Sequence, residues 1–197
     1  MNTFPAYDVW VKTILNSKDR KGGGGPYDFE TPEWHQAYAN KHRIARALCV
    51  TSVLEIGVRY GYAAHAFLSA GATRYIGIDS DLPEHNQMGE PTCDKAMLML
   101  SQTCPHSNNI LIRADTQISN PMASLNPVDF VHIDANHQYI GAMTDMVNAW
   151  PICTRAMLVD DYFGSSPVHD AVDAFVGRYG ALLVTSPSGT GEALILR

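Results

Sequence analysis

The sequence lacks most of the features that assign a chain to a membrane, secreted or nucleic-acid-binding class. No apolar run approaches the roughly 18 residues that a membrane-spanning helix needs. The start, MNTFPAYDVW, has neither the basic residues nor the apolar stretch of a secretory signal. Cysteines number only four (Cys49, Cys93, Cys104 and Cys153), and no two form a C-x-x-C pair. A disulfide framework or zinc ribbon is therefore not expected, and a reducing cytoplasm is the expected location. The spacing of Cys93, Cys104 and His106 also fits no usual zinc site. Positive charge is scarce: 14 Lys and Arg stand against 20 Asp and Glu, for a net charge of −6. That balance argues against a broad basic face for nucleic acid. The tandem glycines Gly22–Gly25 lack the lysine-serine pair of a P-loop. There is no internal repeat.

What remains is globular. Of 197 residues, 46% are hydrophobic and 17% charged, enough for one domain with a full core. Residues 1–30 read as an irregular N-terminal leader, either a linker or a lid over a ligand, because Gly22-Gly23-Gly24-Gly25-Pro26 has little preferred conformation. Residues 31–197 read as a single domain. Thr31-Pro32-Glu33 starts a helix with a capping hydroxyl, a first-turn proline and an acid, and this helix reaches about Leu48. Strand-like runs follow at Ser52–Ile56, Arg74–Ile78, Asn109–Arg113, Val128–Ile133, Arg155–Val159, Ala181–Ser186 and Glu192–Leu196. Helical runs at Tyr62–Ala70, Cys93–Thr103, Gln117–Leu125, Gln138–Trp150 and Val168–Tyr179 lie between the first six. The alternation predicts an α/β, Rossmann-like sheet of seven strands, mostly parallel, with helices on both faces. Only Pro187–Gly191 separates the last two strands, which predicts a C-terminal antiparallel hairpin and one antiparallel strand at the end of the sheet.

The carboxylates fall in register with the strands. Asp79, Asp115, Asp134 and the pair Asp160-Asp161 each follow a strand-like run, and Glu55 sits near the end of the first. Ligands of open α/β sheets bind outside the carboxyl ends of the strands. Each acid alone could be a helix cap. The set together implies something cationic among them, since like charges held close repel. The first strand–helix turn, Glu55-Ile56-Gly57-Val58-Arg59-Tyr60-Gly61, carries Arg59 where a dinucleotide fingerprint has its middle glycine. That lowers the expectation of a pyrophosphate ligand and of a nicotinamide oxidoreductase. Asp79, 24 residues after Glu55, is placed to accept ribose hydroxyls, so a nucleoside-containing ligand is expected.

The run Val53-Leu54-Glu55-Ile56-Gly57-x-x-x-Gly61, followed by Tyr75-Ile76-Gly77-Ile78-Asp79, resembles the cofactor site of class I S-adenosylmethionine-dependent methyltransferases. Asp129-Phe130-Val131-His132-Ile133-Asp134-x-x-His137-x-Tyr139 and Leu158-Val159-Asp160-Asp161-Tyr162 are similar to a metal-dependent subgroup. That subgroup is the natural-product O-methyltransferases, including macrolide and aminocoumarin sugar O-methyltransferases, with cephalosporin-hydroxylase-like proteins alongside. The resemblance spans about residues 33–197. It implies that Gly57, Val58 and Gly61 admit the methionine end of S-adenosylmethionine. It implies that Glu55 braces that turn, that Asp79 holds the ribose, and that Asp115 and Thr116 lie by the adenine. It further implies Asp134, Asp160 and Asp161 as ligands of Mg²⁺ or another divalent cation, and His137, three residues after Asp134, as the catalytic base, with Asp134 also counted as catalytic.

The chemistry suits those residues. The sulfonium donor is already activated, so the protein has to position an acceptor oxygen and remove its proton. Aspartates are hard ligands for Mg²⁺, a metal bound to the acceptor oxygen stabilises its anion, and a histidine titrates near neutral pH. The expected activity is O-methylation of a small hydroxylated secondary metabolite, with no nucleic-acid or membrane partner; a homo-oligomer is left open. The alternatives are metal-independent N- or O-methylation and a non-catalytic cofactor-binding partner protein. Asp134-Ala135-Asn136-His137 lacks the paired prolines of amino-directed DNA methyltransferases. His132 reads as a core histidine, and His35 and His65 as packing or surface residues. Met97 and Met99 read as core or pocket wall, while Tyr7, Trp10 and Trp34 either line an acceptor pocket or pack the leader. Acceptor specificity is expected in the leader, the Asp81–Thr92 loop and the residues after Asp161.

Overall fold

The computed structural model describes residues 4–6, 9–10, 31–83, 91–187 and 190–197. The Gly22–Gly25 segment read as a linker or lid, Tyr7, and most of the Asp81–Thr92 loop lie outside the described residues.

Helix α1 spans Pro32–Ala47. Thr31 caps it by accepting from the Trp34 amide, and Pro32 takes the first turn, where no amide partner is needed. The chain then runs β1 (Ser52–Ile56), α2 (Tyr62–Ser69), β2 (Arg74–Asp79), α3 (Cys93–Thr103), β3 (Asn108–Arg113), β4 (Val128–Ile133), α4 (Tyr139–Ala149), β5 (Cys153–Val159), α5 (Ser166–Tyr179), β6 (Leu182–Ser186) and β7 (Glu192–Leu196). The sheet order is β3-β2-β1-β4-β5-β7-β6. The first five strands pair in parallel, whereas β7 runs antiparallel to both β5 and β6. The antiparallel strand is therefore the last in the chain but not the last in the sheet. It inserts between β5 and β6, and β6 forms the edge.

One expected helix is absent. Residues Gln117–Leu125 form a turn and a short 3₁₀ helix, Pro121–Ser124, instead of an α-helix. Two local causes act together. Asp115 Oδ1 accepts from the Gln117 amide at 2.8 Å and commits the segment to a turn. Pro121 then lacks an amide and disfavours helical backbone at Asn120, whose φ and ψ are −112° and 81°.

Strand residues alternate between two cores. Leu54, Ile56, Ile76, Ile78, Val131, Ile133, Met157 and Val159 face Ala142 and Met146 of α4 and Val172 and Phe175 of α5. Val53, Tyr75, Phe130, Ala156 and Leu158 face Ala45 of α1, Phe67 of α2 and Leu100 of α3. Strands buried on both faces read as continuous apolar runs, and that is why these stood out in the sequence. The few described residues before α1 pack on the second face. Trp10 is buried against His35, Tyr38 and Tyr62, and Phe4 packs on His35, His42 and His65. Of the leader's described residues, Phe4 and Trp10 pack onto the domain. The sheet order reverses between β1 and β4, where the helices that follow go to opposite faces and leave a crevice at the strand ends.

Phe175 is fully buried, with ring centroids 5.3 Å from Trp150 and 4.4 Å from Tyr179. Phe175→Ala is expected to cost about 3–5 kcal/mol, the range for a buried aromatic cavity, read as a shift of the urea unfolding midpoint without a change in slope.

Candidate functional site

The crevice holds a cavity of about 730 Å³. The β1–α2 turn forms one wall. Gly57 has φ +88°, and a Cβ there would lie 2.0 Å from the main-chain oxygen of Asp134. Only glycine lets the end of β1 pass so close to the end of β4, where the Asp134 amide donates to the Ile56 carbonyl at 2.9 Å. Gly61 caps α2 at φ +78°. Arg59 also has a positive φ, 51°, a conformation that disfavours a side chain and is held here by tertiary contacts.

Those contacts come from Asp79. Its Oδ2 accepts from the amides of Val58 (2.8 Å) and Arg59 (3.0 Å), and its Oδ1 from that of Asp81 (2.7 Å). Asp79 thus braces the turn, the role the sequence suggested for Glu55. Glu55 lines the cavity but spends its carboxylate on the hydroxyl of Tyr75 and on Nδ1 of His132, the latter at 2.9 Å. Burial pushes the Glu55 carboxyl up against the opposing pull of His132. His132 is a core histidine, as its place inside a strand implied; its Nε2 is buried with no hydrogen-bond partner.

Asp115 and Thr116 line the cavity at the end of β3. Beneath them Gln117 Nε2 donates to Thr116 Oγ1 (3.2 Å) and to Oδ1 of Asp145 on α4 (3.3 Å). Asp145 is fully buried, and desolvation raises its carboxyl to about 6, with the charge of Asp115 adding to the effect.

The opposite wall carries the other acids. Asp134, Asp160 and Asp161 all line the cavity, as does His137, but each acid is already matched with a cation. His137 Nδ1 lies 3.0 Å from Asp161 Oδ2, and its Nε2 lies 3.5 Å from Asp134 Oδ1. Its hydrogen bond to Asp134, opposed by burial and reinforced by the nearby carboxylates, raises the imidazole to about 9. In the ligand-free protein His137 is a cation at neutral pH. Asp160 Oδ2 accepts from Lys41 Nζ at 2.9 Å, and the same ammonium donates to Glu192 Oε1 at 2.7 Å. Burial alone would raise the Asp160 carboxyl, but the charge of Lys41 holds it below its ordinary value. Burial pushes Asp161 up.

Two overlapping groups bring potential metal-ligand atoms within 4.8 Å of one another: His132, Asp134 and Asp160, and Asp134, His137 and Asp161. Asp134 belongs to both. The geometry therefore gathers Glu55, Gly57, Val58, Asp79, Asp115, Thr116, Asp134, His137, Asp160 and Asp161 around one cavity, but it divides the three aspartates between two partners. Gly61, proposed with them, does not line it: a Cβ there would meet Ala96 and Met99 of α3. Sequence reasoning missed Lys41, Tyr38 and Glu192. A signal existed for the first two. Trp34, Ala37, Tyr38 and Lys41 are spaced as one helical face, and all four line the cavity. Trp34 lines the cavity and also packs against the cluster that includes Trp10.

The profile of a family described as a methyltransferase domain matches residues 54–162. No curated protein sequence matches the chain. Among solved structures it is similar to the O-methyltransferase NovP, with 13% identity, 97% of each chain covered and a TM-score of 0.73. It is also similar to the O-methyltransferase from Bacillus cereus in complex with SAH (12% identity, 98% of this chain and 91% of that one, TM-score 0.65). TomG from Streptomyces achromogenes, an O-methyltransferase involved in tomaymycin synthesis and solved with SAM, matches at 16% identity, with 98% of each chain covered and a TM-score of 0.60.

The buried Asp145 makes stability depend on pH. Its folded value lies above that of a free aspartate, so its contribution is full below about pH 4 and is lost as pH rises through about 6. Asp145→Asn removes that loss. At pH 7.5 the variant is expected to exceed the wild type by about 3 kcal/mol in unfolding free energy, with the two converging near pH 4. Urea titrations across that range measure it.

Proposed function

Because the chain belongs to the methyltransferase-domain family, we propose that it is an S-adenosylmethionine-dependent O-methyltransferase, assisted by Mg²⁺ or another divalent cation, acting on a hydroxyl of a small secondary metabolite. The observation that carries this reading is the single cavity between β1 and β4. It joins a glycine turn held by Asp79, with Asp115 and Thr116 beyond, to the wall of Asp134, His137, Asp160 and Asp161. A cavity of about 730 Å³ suits a nucleoside cofactor with a small acceptor beside it.

Each wall has a share of the work. Gly57 and Val58 leave room for the methionine end of the cofactor, Gly61 shapes the turn from its far side against α3, Glu55 lies under that turn, and Asp79 offers its carboxylate to the ribose. Asp115 and Thr116 take the adenine side. Transfer is an in-line displacement: the acceptor oxygen forms a bond to the methyl carbon, the sulfonium bond breaks, and one proton leaves the acceptor. Asp134 and His137 handle that proton. His137 accepts the acceptor's proton after releasing its own to solvent, and Asp134, beside it, holds the imidazole toward the cavity.

The donor set fits a hard divalent cation, since Asp134, Asp160 and Asp161 present carboxylate oxygens to one wall of the cavity. Such a cation, when bound, supplies a Lewis acid beside the acceptor oxygen. A second reading, transfer without metal, is favoured by the protein cations that already neutralise these acids. Among the described residues no helix is long and apolar enough to cross a membrane. We place the enzyme in the cytoplasm, with a small molecule and neither nucleic acid nor membrane as its partner, and with a homo-oligomer allowed.

The test is thermal unfolding with S-adenosylhomocysteine, followed by methyl transfer to hydroxylated acceptors in Mg²⁺ or EDTA. At a hundred times its dissociation constant the cofactor product is expected to raise Tm by about 5–10 °C. Transfer is expected to stop in EDTA and to fall about a hundredfold in Asp134→Asn. No shift with the product, alongside one with NADH, would sink the methyltransferase reading. Full turnover in EDTA would select the metal-free reading.

A further inference from the structure

We propose that Lys41 is a resident counter-cation for Asp160 and Glu192, a positioning residue that leaves the divalent-cation site to Asp134 and Asp161. The inference rests on the cation-assisted reading above and narrows it. Lys41 comes from α1, far from the acids in the chain, yet its side chain is only 4% exposed and its ammonium bonds two carboxylates at 2.9 and 2.7 Å. Asn40, its neighbour on α1, donates to the second oxygen of Glu192. A lysine this buried is rarely tolerated without such pairing.

The pairing has a consequence for Asp160. Its Oδ2 is taken by Lys41, while its Oδ1 accepts from the Asp161 amide at 3.0 Å and from the Thr190 hydroxyl at 3.4 Å. Both oxygens are committed to this chain, and its side chain is 11% exposed. Asp134 differs. Its side chain is 40% exposed, and its carboxylate is paired only loosely, at 3.5 Å, with the half-exposed His137. Asp161 shares that same imidazole. A divalent cation can displace a half-exposed imidazole held 3.5 Å from Asp134. Displacing Lys41 would strand a buried ammonium and expose Glu192, itself 1% exposed, to an unpaired charge. The two halves of the acid wall therefore have different jobs. Asp160, Lys41 and Glu192 fasten α1 to the ends of β5 and β7, and Asp134 with Asp161 faces the cation.

Mn²⁺ binding, read as loss of the free-ion EPR signal on the full chain with S-adenosylhomocysteine, tests this without any turnover. D134N and D161N are expected to weaken Mn²⁺ by about tenfold or more, and D160N by no more than about twofold. K41M, which leaves two buried carboxylates uncompensated, is expected to bind Mn²⁺ about tenfold more tightly, and K41R to match the wild type. K41Q replaces K41M if the latter does not fold. A loss in D160N equal to that in D134N overturns the proposal. A wild type that takes up no Mn²⁺ sinks the cation-assisted reading itself. In that case uptake appearing in K41M or K41Q still supports Lys41 as the counter-cation, and continued silence in the variant overturns it.

Discussion

The ends of β1 and β4 meet at Gly57 and Asp134, and the rest of the site is arranged around that approach. The Asp134 amide donates to Ile56, and the Asp134 carbonyl lies where any side chain at residue 57 would stand. Because the strand order reverses here, the segments leaving β1 and β4 turn to opposite faces of the sheet, and a crevice opens between them. The glycine turn is thereby kept on one side of the cavity and the acids on the other. Arg59 in the same turn has a positive φ, and Asp79 ties down its amide and that of Val58.

Charge is the second constraint. Several carboxylates converge on a cavity walled by apolar core, where repulsion between them is poorly screened. Among the described residues, Lys41 and His137 pair with these acids. Lys41 neutralises the buried end of the acid wall, and His137 bridges the exposed end. The two are not equivalent. The lysine is built into the packing of α1 against β5 and β7, whereas the histidine sits at the cavity mouth, half-exposed, where a ligand can compete with it. A site that must accept and release a cofactor and an acceptor benefits from having its replaceable charge on the open side and its permanent one inside.

Much of this was legible in the sequence. Thr31-Pro32 begins α1, the apolar runs of β1, β2, β4 and β5 are strands buried on both faces, and each acid lies within a residue or two of the strand end where its spacing placed it. The failures have local causes. Gln117–Leu125 reads as helical by pattern, but Asp115 and Pro121 direct it into turns, and a hydrophobic pattern does not register a missing amide. The order of the last two strands was also beyond spacing, since a hairpin is compatible with either strand lying next to β5.

What the residues alone determined is the alternation that makes an α/β sheet, the glycine turn, and the gathering of Asp79, Asp115, Asp134, Asp160 and Asp161 at one edge. These follow from short-range rules of period, cap and turn. What only the tertiary structure decided is which charges meet. Lys41 is separated from Asp160 by 119 positions and from Glu192 by 151, so no local pattern links them. Their pairing arises because α1 packs across the ends of β5 and β7, and a buried ammonium is stable only where carboxylates already wait for it.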